Sequence, residues 1–178
     1  MRLHLIRHLA PDIAKGICYG RSDLAVPPDV LAHALPALRA QLPAGLPVIS
    51  SPLQRCASLA RELSAAPRFD PRLVELDFGD WELRAWDDIA GVDAWAADVV
   101  HYRPGGGESV AAMAQRISDF YDALMCENLP AAIVVCHAGA MRLLAARQRG
   151  LAPESMAREA AERPHAIGYG EIMILDCV

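Results

Sequence analysis

The stretch Pro130-Ala131-Ala132-Ile133-Val134-Val135-Cys136-His137-Ala138-Gly139 decides the fold. Residues 131–136 are apolar without interruption and are bounded by Pro130 and a turn. A run of that length with no polar alternation reads as a strand covered on both faces, which places it inside an α/β sheet. Directly after it, a helix follows Gly139 and carries Met141, Leu143, Leu144 and Ala145.

Outward from this strand the same grammar repeats. Residues 3–7 read as a short apolar strand, residues 47–50 (Pro-Val-Ile-Ser) as another, and residues 171–177 as a terminal one. Between them the clearest helix covers about 110–126, where Val110, Met113, Ala114, Ile117, Phe120, Tyr121 and Leu124 recur at helical spacing. Ser109 is a natural N-cap for it. A second helix is predicted to begin at Ser51-Pro52, an N-cap followed by Pro at the first helical position, with Leu53, Cys56, Ala57, Ala60 and Leu63 inward. Weaker helical segments lie near 30–42, where Pro36 interrupts, and near 86–100. Strands alternating with helices predict an α/β fold, a three-layer α/β/α sandwich with a mostly parallel central sheet. The length of 178 residues suits one domain over 1–178.

Composition narrows the function classes. Seventeen basic residues against 22 acidic ones leave a net charge of −5, with no Lys/Arg run, a poor match to duplex nucleic acid or an anionic membrane. The cations are sixteen Arg and the single Lys15. No apolar run reaches the roughly 20 residues of a membrane span, and charge interrupts residues 1–8 too early for a signal peptide. The five cysteines are odd in number and lack CxxC spacing, so they read as reduced thiols of a cytoplasmic protein.

In open α/β sheets, sites form beyond the carboxyl ends of the strands. Arg7 and His8 follow the first strand, Ser51 to Arg55 follow the second, and His137-Ala138-Gly139 follow the buried one. Taken singly, an Arg-His pair is usually a polar turn, His137 a satisfied core histidine, and Arg55 a solvated side chain. Taken together, two Arg, two His and two helix N-termini at corresponding strand ends point to a phosphoryl group. Expelling an alkoxide also needs a proton donor. Residues 73–82 hold four carboxylates, and the residues alone leave Glu75, Asp77, Asp80 and Glu82 open, beside the plain reading as an acidic surface loop.

These residues resemble the histidine phosphatase superfamily, with its phosphoglycerate mutase-like fold. The matching motifs are Leu5-Ile6-Arg7-His8, Ser50-Ser51-Pro52-Leu53-Gln54-Arg55, Glu75 through Glu82, Gly106-Gly107-Glu108-Ser109, and His137 through Arg142, in the family's order. The resemblance implies that His8 is the nucleophile and becomes a phosphohistidine. It implies that Arg7, Arg55 and His137 bind the phosphoryl oxygens, and that Glu75 protonates the leaving group and then activates water. It implies no metal or organic cofactor, and a small phosphorylated metabolite as partner, and it leaves room for a homodimer. The loop Cys18-Tyr19-Gly20-Arg21-Ser22-Asp23 after Arg-His-x-x-Pro is similar to bacterial alpha-ribazole phosphatases of cobalamin synthesis. That similarity implies alpha-ribazole 5′-phosphate or a cobalamin 5′-phosphate as substrate, with Tyr19, Gly20, Arg21 and Trp81 facing it beyond the phosphate. Packing beneath their loops is the plainer role for Tyr19 and Trp81.

Two positions depart from the family pattern. Leu9 stands where Gly or Thr is common, and Leu83 where Gly is usual. Leu at position 9 resists the positive φ that Gly tolerates and offers no hydroxyl, so the geometry of that loop is expected to differ, while neither change removes a catalytic group. Two rival readings remain. A mutase would have to retain its phosphoenzyme and exclude water, and the chain looks too short for the insertions that implies. A non-catalytic phosphate-binding protein would keep the site without turnover. Gly105-Gly106-Gly107 lacks the Gly-Lys-Ser/Thr of a P-loop. A Cys136-His137 dyad is disfavoured because strand neighbours point to opposite faces. His33, His101 and His165 show no partner in the sequence and read as surface residues.

Overall fold

A computed structural model describes residues 1–162 and 166–177. Among them the sheet has five strands: β1 (Arg2–Arg7), β2 (Val48–Ser50), β3 (Arg68–Phe69), β4 (Ala131–Cys136) and β5 (Ile172–Asp176). Their spatial order is β3-β2-β4-β1-β5. β1, β2, β3 and β4 run parallel, and β5 joins β1 antiparallel. The helices are α1 (Pro28–Gln41), α2 (Gln54–Leu63), α3 (Val92–Ala97), α4 (Val110–Met125), α5 (Ala138–Gln148) and α6 (Pro153–Glu162).

The central position of β4 explains its unbroken apolar sequence. Ala132, Val134 and Cys136 enter a core built with α4, α5 and α6, whereas Ile133 and Val135 enter a second core with α1 and α2. β1 divides likewise, Leu3 and Leu5 to one side and Ile6 to the other. Period-two alternation thus fills two helical layers on opposite faces, the predicted sandwich.

Several boundaries differ from the sequence reading, each for a local reason. α2 starts at Gln54 and Ser51 does not cap it. The Ser51 hydroxyl lies 2.9 Å from His137 Nε2, and Asp23 instead accepts the Gln54 backbone N–H at 2.6 Å. Pro36 is accommodated inside α1, an exposed-sided helix. The helix expected over 86–100 contracts to α3, preceded by a 3-10 turn at Trp86–Asp88, because Gly91 adopts a left-handed φ of 98° between them. β3 and α6 were not anticipated; β3 is two exposed residues, too short to show a period. Ser109 caps α4 as expected, accepting from the Ala112 N–H. Leu83 takes φ 64°, the left-handed conformation that Gly would hold without strain, whereas Leu9 has no positive φ. His33 and His101 are exposed as read, His101 with a surface partner in Glu154 at 3.2 Å, and His165 lies outside the described residues.

Candidate active site

Strand register assembles the site. Arg7 pairs with Cys136, and Ser50 with Val135, so the next residues, His8, Ser51 and His137, emerge side by side. The His8 N–H donates to the Cys136 carbonyl at 2.9 Å, and the Ser51 N–H to the Val135 carbonyl at 3.0 Å. No local sequence rule dictates this row; it follows from parallel pairing.

At this sheet end lies a cavity of about 790 Å³, lined by Arg7, His8, Tyr19, Arg55, Glu75 and Gly139 among others. Its size is that of a small-molecule site. His8 is almost wholly buried, and its Nδ1 lies 2.7 Å from the Leu9 carbonyl. A carbonyl can only accept, so Nδ1 carries the proton and the Nε2 lone pair is left for chemistry. The contact is made by the Leu9 backbone, so it does not depend on the side chain at that position.

Arg7 donates from Nη1 to the Ile167 carbonyl at 2.5 Å, while its buried Nε has no hydrogen-bond partner among the described residues. An unpaired buried donor beside a cavity is costly unless a ligand satisfies it. Arg55 is fully buried and donates to the Ser22 carbonyl at 2.6 Å, to the Gly20 carbonyl, and from Nε to His137 Nδ1 at 3.3 Å. Three of its five N–H groups are thereby used, and two remain. The structure places His137 fully buried beside Arg55. Its ring meets His8 edge-on at 5.1 Å.

The structure separates the four carboxylates. Glu82 accepts from the backbone of Gly20, Arg21, Ser22 and Phe78 and from the Ser22 hydroxyl, so it is a hub for loop 19–22. These donors hold its carboxyl below the usual range despite its burial. Asp77 accepts from the Gly79 N–H and pairs with Arg21 at 3.4 Å, and Asp80 is exposed. Glu75 alone of the four lines the cavity. Its Oε1 accepts from the Leu76 N–H and its Oε2 from the Gly139 N–H, each at 3.0 Å. A Cβ at position 139 would sit 2.3 Å from Oε1, so only Gly lets the carboxylate approach α5. Beneath it, Arg116 donates to the carbonyls of Arg72, Val74 and Glu75 and forks onto Glu108 at 2.7 Å to each oxygen. The Gly-Gly-Glu-Ser step thus supplies the partner of a buckle under Glu75.

Of the residues expected to face substrate beyond the phosphate, Tyr19 lines the cavity. Gly20, Arg21 and Trp81 do not: Gly20 is bonded to Arg55 and Glu82, Arg21 is an exposed partner of Asp77, and Trp81 is buried against Trp95 and Tyr102. Sequence reasoning missed the residues that take that place. Trp86 and Trp95 stack nearly parallel, 9° apart, and meet Phe78 edge-on at 5.5 and 5.7 Å. All three line the cavity. The spacing of Trp86 and Trp95 is not helical and gave no periodic cue. Tyr169 also lines it, from the loop before β5. Cys136 points into a core, and the thiol beside His137 is that of Cys56, 3.5 Å from Nε2. Burial pushes the Cys56 thiol up, which keeps it protonated and unreactive. No group of His, Cys, Asp and Glu suited to a metal occurs among the described residues.

Burial, and then the Arg55 charge, pushes His8 down to about 3 and His137 well below its ordinary value. His8 is therefore neutral in the folded state across pH 4–7, and His137 is shifted in the same direction. In the unfolded chain they take up protons near pH 6.5, so it binds more protons than the folded one below that pH. Stability is full above pH 6.5 and falls as pH drops toward 3. Between those limits His8 adds a slope approaching about 1.4 kcal/mol per pH unit, and His137 acts with the same sign. Urea unfolding between pH 6 and 4 should show a shallower slope in a His8→Gln variant; an unchanged slope would mean that folded His8 is not held neutral.

The chain belongs to the histidine phosphatase superfamily (branch 1), whose sequence profile matches residues 3–168. It is 34% identical to the adenosylcobalamin/alpha-ribazole phosphatase of Escherichia coli over 119 residues, 61% of this chain and 59% of that relative. The alignment therefore spans about three fifths of that protein's length. The alpha-ribazole phosphatase structure from Shigella flexneri superposes with a TM-score of 0.82 at 28% identity, covering 99% of this chain and 90% of that one. A mycobacterial glucosyl-3-phosphoglycerate phosphatase shares the fold, with a TM-score of 0.77 at 22% identity, covering 97% of this chain and 88% of that one. No helix among the described residues is long and apolar enough to cross a membrane.

Proposed function

We propose that this chain is a phosphomonoesterase that works through a phosphohistidine at His8. The observation that carries this reading is a neutral His8 with Nδ1 tied to the Leu9 carbonyl, lining one cavity with Arg7, Arg55 and Glu75. In the first step, His8 Nε2 forms a bond to phosphorus as the bond from phosphorus to the ester oxygen breaks. The Glu75 carboxylic acid gives its proton to that oxygen, and the alcohol leaves. Arg7 and Arg55 neutralise charge on the phosphoryl oxygens without a metal. In the second step, the Glu75 carboxylate takes a proton from water, the water oxygen bonds to phosphorus, and His8 departs with inorganic phosphate released. His137, buried against Arg55 and Ser51, holds the arginine from behind.

For the substrate we favour alpha-ribazole 5′-phosphate. Support comes from the names of the relatives and from the Phe78, Trp86 and Trp95 wall, which offers aromatic faces to the planar base of such a nucleotide. A screen of phosphorylated metabolites, including this compound, a cobalamin 5′-phosphate and 3-phosphoglycerate, tests the reading. The expected result is release of inorganic phosphate with kcat/KM for alpha-ribazole 5′-phosphate at least about tenfold above sugar phosphates. Failure on that compound with strong hydrolysis of another refutes the substrate. Isomerisation of phosphoglycerate without phosphate release refutes the hydrolase.

A further inference from the structure

The loop before β5 closes over the site through one residue. The Tyr169 ring lies on the Arg7 guanidinium, 4.0 Å from ring centroid to guanidinium carbon, and 5.6 Å from the His8 ring. Its hydroxyl meets that of Tyr19 at 2.7 Å. The Tyr19 ring in turn faces the Arg55 guanidinium at 5.4 Å. Each arginine of the site is therefore backed by a tyrosine ring, and one hydroxyl–hydroxyl bond ties the two rings together across the cavity mouth.

The loop that delivers Tyr169 is stitched to the end of β1. The Gly170 N–H donates to the Arg7 carbonyl at 3.0 Å, and the Arg7 N–H to the Glu171 carbonyl at 3.1 Å. Gly170 holds φ 72°, a left-handed conformation that favours glycine, and a Cβ there would touch the Leu9 side chain at 3.1 Å. Such stitching makes the placement of Tyr169 a property of the fold although the residue is 46% exposed.

We propose that Tyr169 is a positioning residue which, tied to Tyr19, braces Arg7 and Arg55 for oxyanion binding. This rests on the phosphoryl reading of the site given above. A guanidinium has several rotamers, and a ring on one face holds its plane while leaving its N–H edge free for oxygens. Bracing both arginines through one bond makes the two tyrosines act as a unit.

A double-mutant cycle on the full chain tests this, reading inorganic phosphate affinity by calorimetry beside hydrolysis of 4-nitrophenyl phosphate. Tyr169→Phe and Tyr19→Phe should each weaken phosphate binding about threefold, and the double variant should be no weaker than either, because both remove one bond. Tyr169→Leu, which also strips the ring from Arg7, should weaken it about tenfold or more and raise KM more than it lowers kcat. Additive effects of the two Phe substitutions, or Tyr169→Leu binding phosphate within twofold of the wild type, overturn the brace. Absence of any hydrolysis by the wild type would instead refute the phosphatase reading, with the calorimetric cycle still deciding the brace. Unchanged thermal melting of Tyr169→Phe keeps the cycle interpretable if Tyr169→Leu is unstable.

Discussion

Replacing His8 with Ala should abolish turnover, lowering kcat on 4-nitrophenyl phosphate by about 10⁴-fold or more. The proposed route has a covalent bond to His8 Nε2, and no neighbouring group can stand in for it. His137 is fully buried with its ring nitrogens against Arg55 and Ser51, and the adjacent Cys56 thiol is kept protonated. Arg7 and Arg55 remain in the variant, so phosphate affinity should persist while chemistry stops. Imidazole added to the buffer fits the space left by the side chain and should restore part of the rate. An acid-labile phosphoenzyme trapped by rapid quench should appear in the wild type and vanish in the variant. Turnover within tenfold of the wild type, in protein shown by its melting curve to be folded, would sink the nucleophile assignment.

Glu75→Gln is the second large effect, and its size should depend on the leaving group. For an alkyl phosphate, whose alkoxide is a poor leaving group, loss of the acid should cost about 10²- to 10⁴-fold in kcat. Nitrophenolate leaves without a proton, so the burst of its release from 4-nitrophenyl phosphate should stay within about tenfold of the wild type. The steady state after the burst should slow, because the base that activates water is gone. Equal losses in the burst and with the alkyl ester would show that Glu75 is not the proton donor. The variant should also be destabilised, by about 1–3 kcal/mol. Leu76 and Gly139 each point a backbone N–H at a different Glu75 oxygen, and the Gln amide nitrogen can accept from neither.

The elements on which these residues ride were mostly legible in the chain. β4 announces itself because both of its faces are covered, and α4 because one of its faces is. Arg7, His8, Arg55 and Glu75 were each named from strand ends or motif resemblance, and they converge on one cavity. The choice of Glu75 over Glu82 was not readable from the residues alone. Both are acidic residues of one short segment, and only the arrival of loop 19–22 at one and of α5 at the other separates them. α2 starts later than its cap chemistry suggests for the same reason. Ser51 has the chemistry of a cap, but His137, distant in sequence, claims its hydroxyl.

Periodicity, capping and turn preferences act between neighbours a few residues apart, so the sequence by itself determined most of the helices and strands, their mostly parallel arrangement and the residue types gathered at the strand ends. Contacts between residues 7 and 169, 19 and 169, 55 and 137, or 75 and 139 depend on strand register and on which loops meet above the sheet. Those distances are set by global packing, which carries no local periodic signature. The backing of the arginines by tyrosines, the burial of His137 and the aromatic wall of Trp86 and Trp95 therefore emerged only with the assembled fold.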